Sequence, residues 1–276
     1  MSQFYICYPE GKFKALTFSY DDGRIEDRRL VEIFNRNGLK ATFHLNSGLF
    51  GVPRPGEERI DPTEISTLYQ GHEVACHTYT HPTIERCPLD KVALEVLEDR
   101  KFLESYTHAP VQGLSYPNGS YTAEIKKLLP ALGIEYSRVV GSSHNFGLPK
   151  DWYQWQATCH HNQRLMEHGV EFSKLFKSQY LYLMYVWGHS FEFTRDNNWA
   201  VLEEFADLMG QQQDVWFCTN IEFKKYMTAA HQVIFTMDGT AALNPSAYDI
   251  WMRVDQTVHC LKPGLNDLSQ TAQKEN

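Results

Sequence analysis

A chain of 276 residues that is 42% hydrophobic can bury a sizeable core, enough for one large α/β domain. Its 26 Lys and Arg against 34 Asp and Glu give a net charge of −8 with no basic run, which argues against nucleic acid as a partner. No apolar run approaches the roughly 18 residues of a membrane span. The opening Met1-Ser2-Gln3-Phe4-Tyr5-Ile6-Cys7 lacks the basic region, apolar stretch and cleavage site of a signal peptide, so a cytoplasmic location is expected. Cysteines 7, 76, 87, 159, 218 and 260 form no Cys-x-x-Cys pair and are expected as free thiols. Composition leaves the oligomeric state open.

Taken in chain order, apolar and β-rich runs predict strands at 15–20, 41–45, 73–77, 112–116, 134–139, 181–187 and 214–219. Helical periodicity between them predicts helices at 27–37, 90–106, 123–132, 170–177, 198–209 and 221–230. The first carries Leu30, Val31, Ile33 and Phe34 on one side, and Gly38 follows as a stop. Such alternation implies parallel strands joined by crossovers, and about seven units suggest a (β/α) barrel. Past residue 230 the pattern changes to strands at 233–236, 248–254 and 257–261. Residues 1–230 are therefore expected to form the barrel, and 231–276 a small C-terminal β appendage packed on the same domain. The last eight or so residues are polar and expected to be frayed.

Chemistry-bearing residues fall where strands end. Asp21-Asp22-Gly23 follows the first predicted strand, and His77-Thr78-Tyr79-Thr80-His81 ends the third. Pro117-Asn118 follows the fourth, and His189 follows Trp187. Active sites of (β/α) barrels gather on that face. Imidazole and carboxylate are the usual ligands of Zn²⁺ and its neighbours, and three such ligands leave an open position for water. The metal lowers the pKa of that water, and a second carboxylate takes its proton. Singly each motif is common in ordinary turns; together they describe a hydrolase.

Thr17-Phe18-Ser19-Tyr20-Asp21-Asp22 resembles the first motif of the polysaccharide deacetylase family, carbohydrate esterase family 4. His77-Thr78-Tyr79-Thr80-His81 resembles the second, Leu114-Ser115-Tyr116-Pro117-Asn118-Gly119 the third and Trp187-Gly188-His189 the last. The resemblance implies a distorted (β/α) barrel. It implies that Asp22, His77 and His81 hold a divalent metal, by default Zn²⁺, with Co²⁺, Ni²⁺, Mn²⁺ or Fe²⁺ compatible with the same ligands. Asp21 is then the general base, His189 the general acid, and the Asn118 backbone N–H a donor to the oxyanion. The implied reaction removes N- or O-linked acetyl groups from a carbohydrate. The alternatives are a C–N hydrolase acting on a non-sugar amide or ureide, and a catalytically inactive carbohydrate-binding protein.

The third motif departs from the family pattern: Ser115 stands where an Arg normally orients the base. Arg138, at the end of the next strand, is the expected replacement. Tyr79, Pro117, Asn118, Trp187 and Glu192 are expected to line the substrate site, with Trp152, Trp155, Trp199 and Tyr121 as further stacking candidates. Glu192 is read as an orienter of His189 or a solvated helix-start residue, and His44 as a second layer behind the site. His160-His161 is expected to be structural, because adjacent side chains rarely face one ion.

Overall fold

The structure, a computed structural model, describes residues 3–269, so the end of the polar tail, from 270, lies outside it. Its elements in order are β1 (Phe4–Cys7), β2 (Lys14–Asp21), α1 (Asp27–Arg36), β3 (Thr42–Leu45), α2 (Ile65–Leu68), β4 (Glu73–Cys76) and α3 (Leu89–Thr107). Next come β5 (Gly113–Ser115), α4 (Ala123–Leu128), β6 (Tyr136–Ser142), β7 (Trp155–Ala157), β8 (Cys159–His160), α5 (Leu165–Ser173) and β9 (Tyr182–His189). Then follow α6 (Ser190–Arg195), α7 (Trp199–Gly210), β10 (Val215–Phe217), α8 (Asn220–Ala230), β11 (Ile234–Phe235), β12 (Ala241–Asn244), β13 (Ile250–Val254), β14 (Thr257–Leu261) and β15 (Gly264–Asp267).

One parallel sheet runs β7-β6-β5-β4-β3-β2-β9-β8, with β10 beside the first half of β2. Residues 155–160 complete it: β7 pairs with β6, and β8 pairs with β9, so this stretch bridges the two ends and nearly closes a barrel. All seven predicted strands are present. The bridging stretch was missed because its two short pieces, broken at Thr158, carry no long apolar run. The predicted helix at 170–177 runs instead over Leu165–Ser173, and the strand expected at 134–139 extends to Ser142.

β2 shows how the sequence builds this layer. Leu16, Phe18 and Tyr20 join the core packed under the helices, with Leu30, Ile33 and Phe34 of α1. The alternate residues Thr17, Ser19 and Asp21 are equally buried, and because side chains alternate across a strand they point into the barrel. Below the site the interior is a hydrogen-bonded polar plug. Thr17 donates to Asn220, whose amide donates to Tyr185. Thr42 and Tyr136 donate to Glu73, as does the Ile221 backbone N–H. Burial pushes the Glu73 carboxyl up to about 7. The same network anchors the start of α8, which Thr219 and Glu222 cap reciprocally.

Two small antiparallel sheets complete the described elements, β1-β13-β14 and β11-β12-β15. The first strand of the chain thus pairs with a C-terminal one, Phe4 opposite Val254 and Cys7 opposite Trp251. The Tyr226 hydroxyl ties them to α8: it donates to the Cys7 carbonyl and accepts from the Trp251 N–H. No helix among the described residues is long and apolar enough to cross a membrane.

Candidate active site

Asp21 ends β2 with His44 as its ladder partner on one side and His189 on the other. The next residue, Asp22, has φ 82° and donates its backbone N–H to the His44 carbonyl. Thr78 (φ 65°) and His81 (φ 60°) also occupy the left-handed region. Each such non-glycine residue costs on the order of 1–3 kcal/mol, and such strain clusters at functional sites.

These turns bring donor atoms of Asp22, His77 and His81 within 4.8 Å of one another. His77 Nε2 lies 4.0 Å from Asp22 Oδ1 and 3.8 Å from Asp21 Oδ2. Its other ring nitrogen, Nδ1, faces the Ser115 hydroxyl at 2.6 Å and the Ser115 carbonyl at 2.9 Å. A carbonyl only accepts, so Nδ1 carries the proton and Nε2 is left free to ligate. Burial keeps His77 neutral, lowering its pKa to about 4. The donor set and the fixed tautomer fit a divalent cation of the Zn²⁺ type.

The base candidate is held from two directions. The Ser115 hydroxyl donates to Asp21 Oδ1 at 3.1 Å, and the Arg138 guanidinium contacts Asp21 Oδ2. Ser115 and Arg138 are direct partners across the β5–β6 ladder, so a guanidinium one strand away reaches where position 115 offers none. Arg138 also donates to Ser19 Oγ at 3.1 Å and lies 4.5 Å from the Trp187 ring centroid. Burial alone would raise the Asp21 pKa. Arg138, then His77, His44 and His189, outweigh it and hold the carboxyl well below the usual range.

His189 is a quarter exposed and its Nδ1 stands 3.3 Å from Glu192 Oε2. Burial opposes its protonation, yet Glu192, Asp21 and Asp22 together raise its pKa above the ordinary histidine value. Glu192 also accepts the His189 backbone N–H, so it is a buried partner of His189 rather than a solvated residue. His44 is fully buried, its Nδ1 3.1 Å from the Cys76 carbonyl, and burial lowers its pKa to about 3.

Around this centre, Pro117 is buried in the turn after β5, and Asn118 has φ 55° and donates its side chain to Thr83 Oγ1. Tyr79 is half-buried, its backbone N–H donating to the Glu95 carbonyl. Of the tryptophans, only Trp187 joins the cluster. Trp155 is packed inside with Tyr185 and Phe223, Trp152 lies on Trp155, Trp199 covers Phe193 and Arg29, and Tyr121 stacks on Tyr116. Packing claimed these rings because the closing strand and α7 needed apolar volume.

Two features escaped the sequence. Asp99 of α3 is fully buried and accepts from Ser47 N–H, Ser47 Oγ and His77 N–H, pinning the loops after β3 and β4. Its signal was available: with Val92, Val96 and Leu103 it makes up the buried stripe of α3, where a charge is out of place. The second is the shared partner of the His160-His161 pair. The chain leaves the strand at His160, alternation ends, and both Nε2 atoms approach Glu192 Oε2, at 3.0 and 3.5 Å. His161 lies between Tyr20 and Phe193, and a side chain at Gly188 would collide with its ring.

A nearly closed parallel barrel thus carries a carboxylate–histidine cluster at its strand C-termini. Residues 8–137 match the family "Polysaccharide deacetylase". Solved structures share the fold. A Mycobacterium smegmatis protein classed as a polysaccharide deacetylase aligns at TM-score 0.59 and 17% identity, over 81% of this chain and 93% of that one. A mutant of BA3943, a carbohydrate esterase family 4 pseudoenzyme with restored activity, aligns at TM-score 0.53 and 16% identity, over 80% and 70%. The chain covers 55% of the Streptococcus pyogenes deacetylase PplD, at TM-score 0.42 and 20% identity over 45% of this chain.

Proposed function

We propose that this protein is a metal-dependent hydrolase that removes N- or O-linked acetyl groups from a carbohydrate. One observation carries the reading: Asp22, His77 and His81 converge beside a second, ionised carboxylate, Asp21, that is clamped by Arg138 and Ser115. A divalent cation held by Asp22, His77 and His81 would polarise the acyl carbonyl and acidify a water. Asp21 takes the proton of the attacking water, and its ion pair keeps it available for that at neutral pH. The Asn118 backbone N–H, freed by the left-handed turn at 117–119, donates to the developing oxyanion. His189, whose protonated form Glu192 favours, delivers a proton to the leaving amine or alcohol. Trp187, buried with the Arg138 guanidinium over its ring, backs these groups. Arg138 in contact with Asp21 favours this reading over a ureide hydrolase, whose case rested on the missing arginine.

The test combines metal content with acetate release from acetylated chito-oligosaccharides and simple acetyl esters, with and without chelator. About one metal per chain and chelator-sensitive release support the proposal. Metal without release moves the search to other amides. Metal binding with saccharide affinity but no turnover of any kind favours an inactive binding protein. No metal after loading with Zn²⁺ or Co²⁺ overturns the roles of Asp22, His77 and His81.

A further inference from the structure

Behind His189 lies a group of side chains that the reaction as described does not use. Glu192 Oε2 is faced by His189 Nδ1 at 3.3 Å, His189 N–H at 3.2 Å, His160 Nε2 at 3.0 Å and His161 Nε2 at 3.5 Å. Its other oxygen is 3.4 Å from Arg195 Nη2. The spacing of His160, His161 and Glu192 also suits a metal. The hydrogen bonding of His160 decides between the two uses. Its Nδ1 accepts the Asn162 backbone N–H at 3.2 Å, so the proton of His160 sits on Nε2 and presents a donor to Glu192. A metal-bound histidine has the opposite arrangement, with the far nitrogen donating. The ring is further fixed by Trp187, edge-on at 4.7 Å and 86°.

We infer that His160 is a positioning residue: its Nε2–H holds the Glu192 carboxylate against Nδ1 of His189, on the reading of His189 as the acid that protonates the leaving group. A carboxylate with one partner is free to rotate away; one gripped from both sides is not. With Nδ1 engaged, Nε2 of His189 is the nitrogen left to meet the substrate. The charged and titratable groups around this unit are Asp21 and Asp22 on the β2 side, His160 and His161 on the β8 side, and Arg195 and Asp196 on α6. His161 is buried among aromatic rings and its pKa is lowered to about 3 by burial, so it stays neutral there.

The test uses metal-loaded full-length protein carrying ¹⁵N-histidine, compared with His160→Leu and His160→Gln, the latter keeping an N–H near the Nε2 position. The His189 resonance, assigned by its loss in His189→Gln, is titrated by NMR without substrate. His189 should lose its proton at lower pH in His160→Leu than in the wild type, with His160→Gln restoring most of the difference. Where substrate is turned over, kcat of His160→Leu should fall about tenfold to a hundredfold with KM and metal content unchanged, and its alkaline limb should move to lower pH. A wild-type His189 titration in His160→Leu would overturn the inference. So would a second equivalent of metal that disappears with His160. Absence of turnover in the wild type with the NMR difference intact would count against the deacetylase reading and leave the positioning role standing.

Discussion

Replacing Arg138 with methionine removes the guanidinium while keeping most of the side-chain volume. Arg138 is 1% exposed and Asp21 is 2% exposed, so the variant strands a carboxylate in the barrel with the Ser115 hydroxyl as its remaining donor. Breaking a buried pair from one side costs about 3–5 kcal/mol. For a domain of this size that corresponds to a fall in Tm of about 10 °C. Asp21 is depressed below the ordinary carboxylate pKa, so its stabilising contribution is fully present at neutral pH and is lost as pH falls below about 4. The stability gap between wild type and variant should therefore be constant near pH 7 and close in acid. Turnover should drop by about 10²–10⁴, since the base is no longer aimed or kept ionised. Adding Asp21→Asn removes the charge that lost its partner, so the double variant should be more stable than Arg138→Met alone by about 1 kcal/mol or more. Calorimetry across pH and acetate-release kinetics read both effects. A single variant with wild-type Tm and turnover, or a double variant whose losses simply add, would refute the reasoning.

Ser115→Ala removes the hydroxyl shared by His77 and Asp21 but leaves the carbonyl facing His77, so metal affinity measured by chelator competition should weaken by about tenfold to a hundredfold. His81→Ala, which deletes a proposed ligand, should weaken it far more in the same titration; equal effects would contradict the donor assignment. The raised pKa of His189 and the lowered one of Asp21 place the alkaline limb of kcat/KM above the ordinary histidine value near 6.5 and leave Asp21 ionised throughout the neutral range. Glu192→Gln removes the charge that favours protonated His189 and should move that limb to lower pH; an unmoved limb excludes His189 as the acid. Asp99→Ala leaves three donors of the Ser47 and His77 loops unpaired, at about 1–3 kcal/mol each. Thermal unfolding should show a loss of at least 3 kcal/mol, and a smaller loss would mean that the loops hold themselves.

The amino-acid sequence by itself determined the barrel and marked out the candidate ligands. Strand–helix alternation is a local pattern, and side-chain periodicity records it even without a partner strand in view. Asp22, His77 and His81 were legible because each sits at a strand end within a short motif. Tertiary structure alone decided what supports them. Arg138 reaches Asp21 because parallel pairing places positions 115 and 138 side by side, a relation between strands separated by α4. The closing strand at 155–160 exists because two short segments find β6 and β9 on either side, and neither has the length to announce itself. His160 and His161 turn to one carboxylate because the chain leaves its strand between them, and Asp99 is tolerated inside because three distant donors meet it. Such contacts join residues far apart in the chain, and no local rule of spacing encodes them.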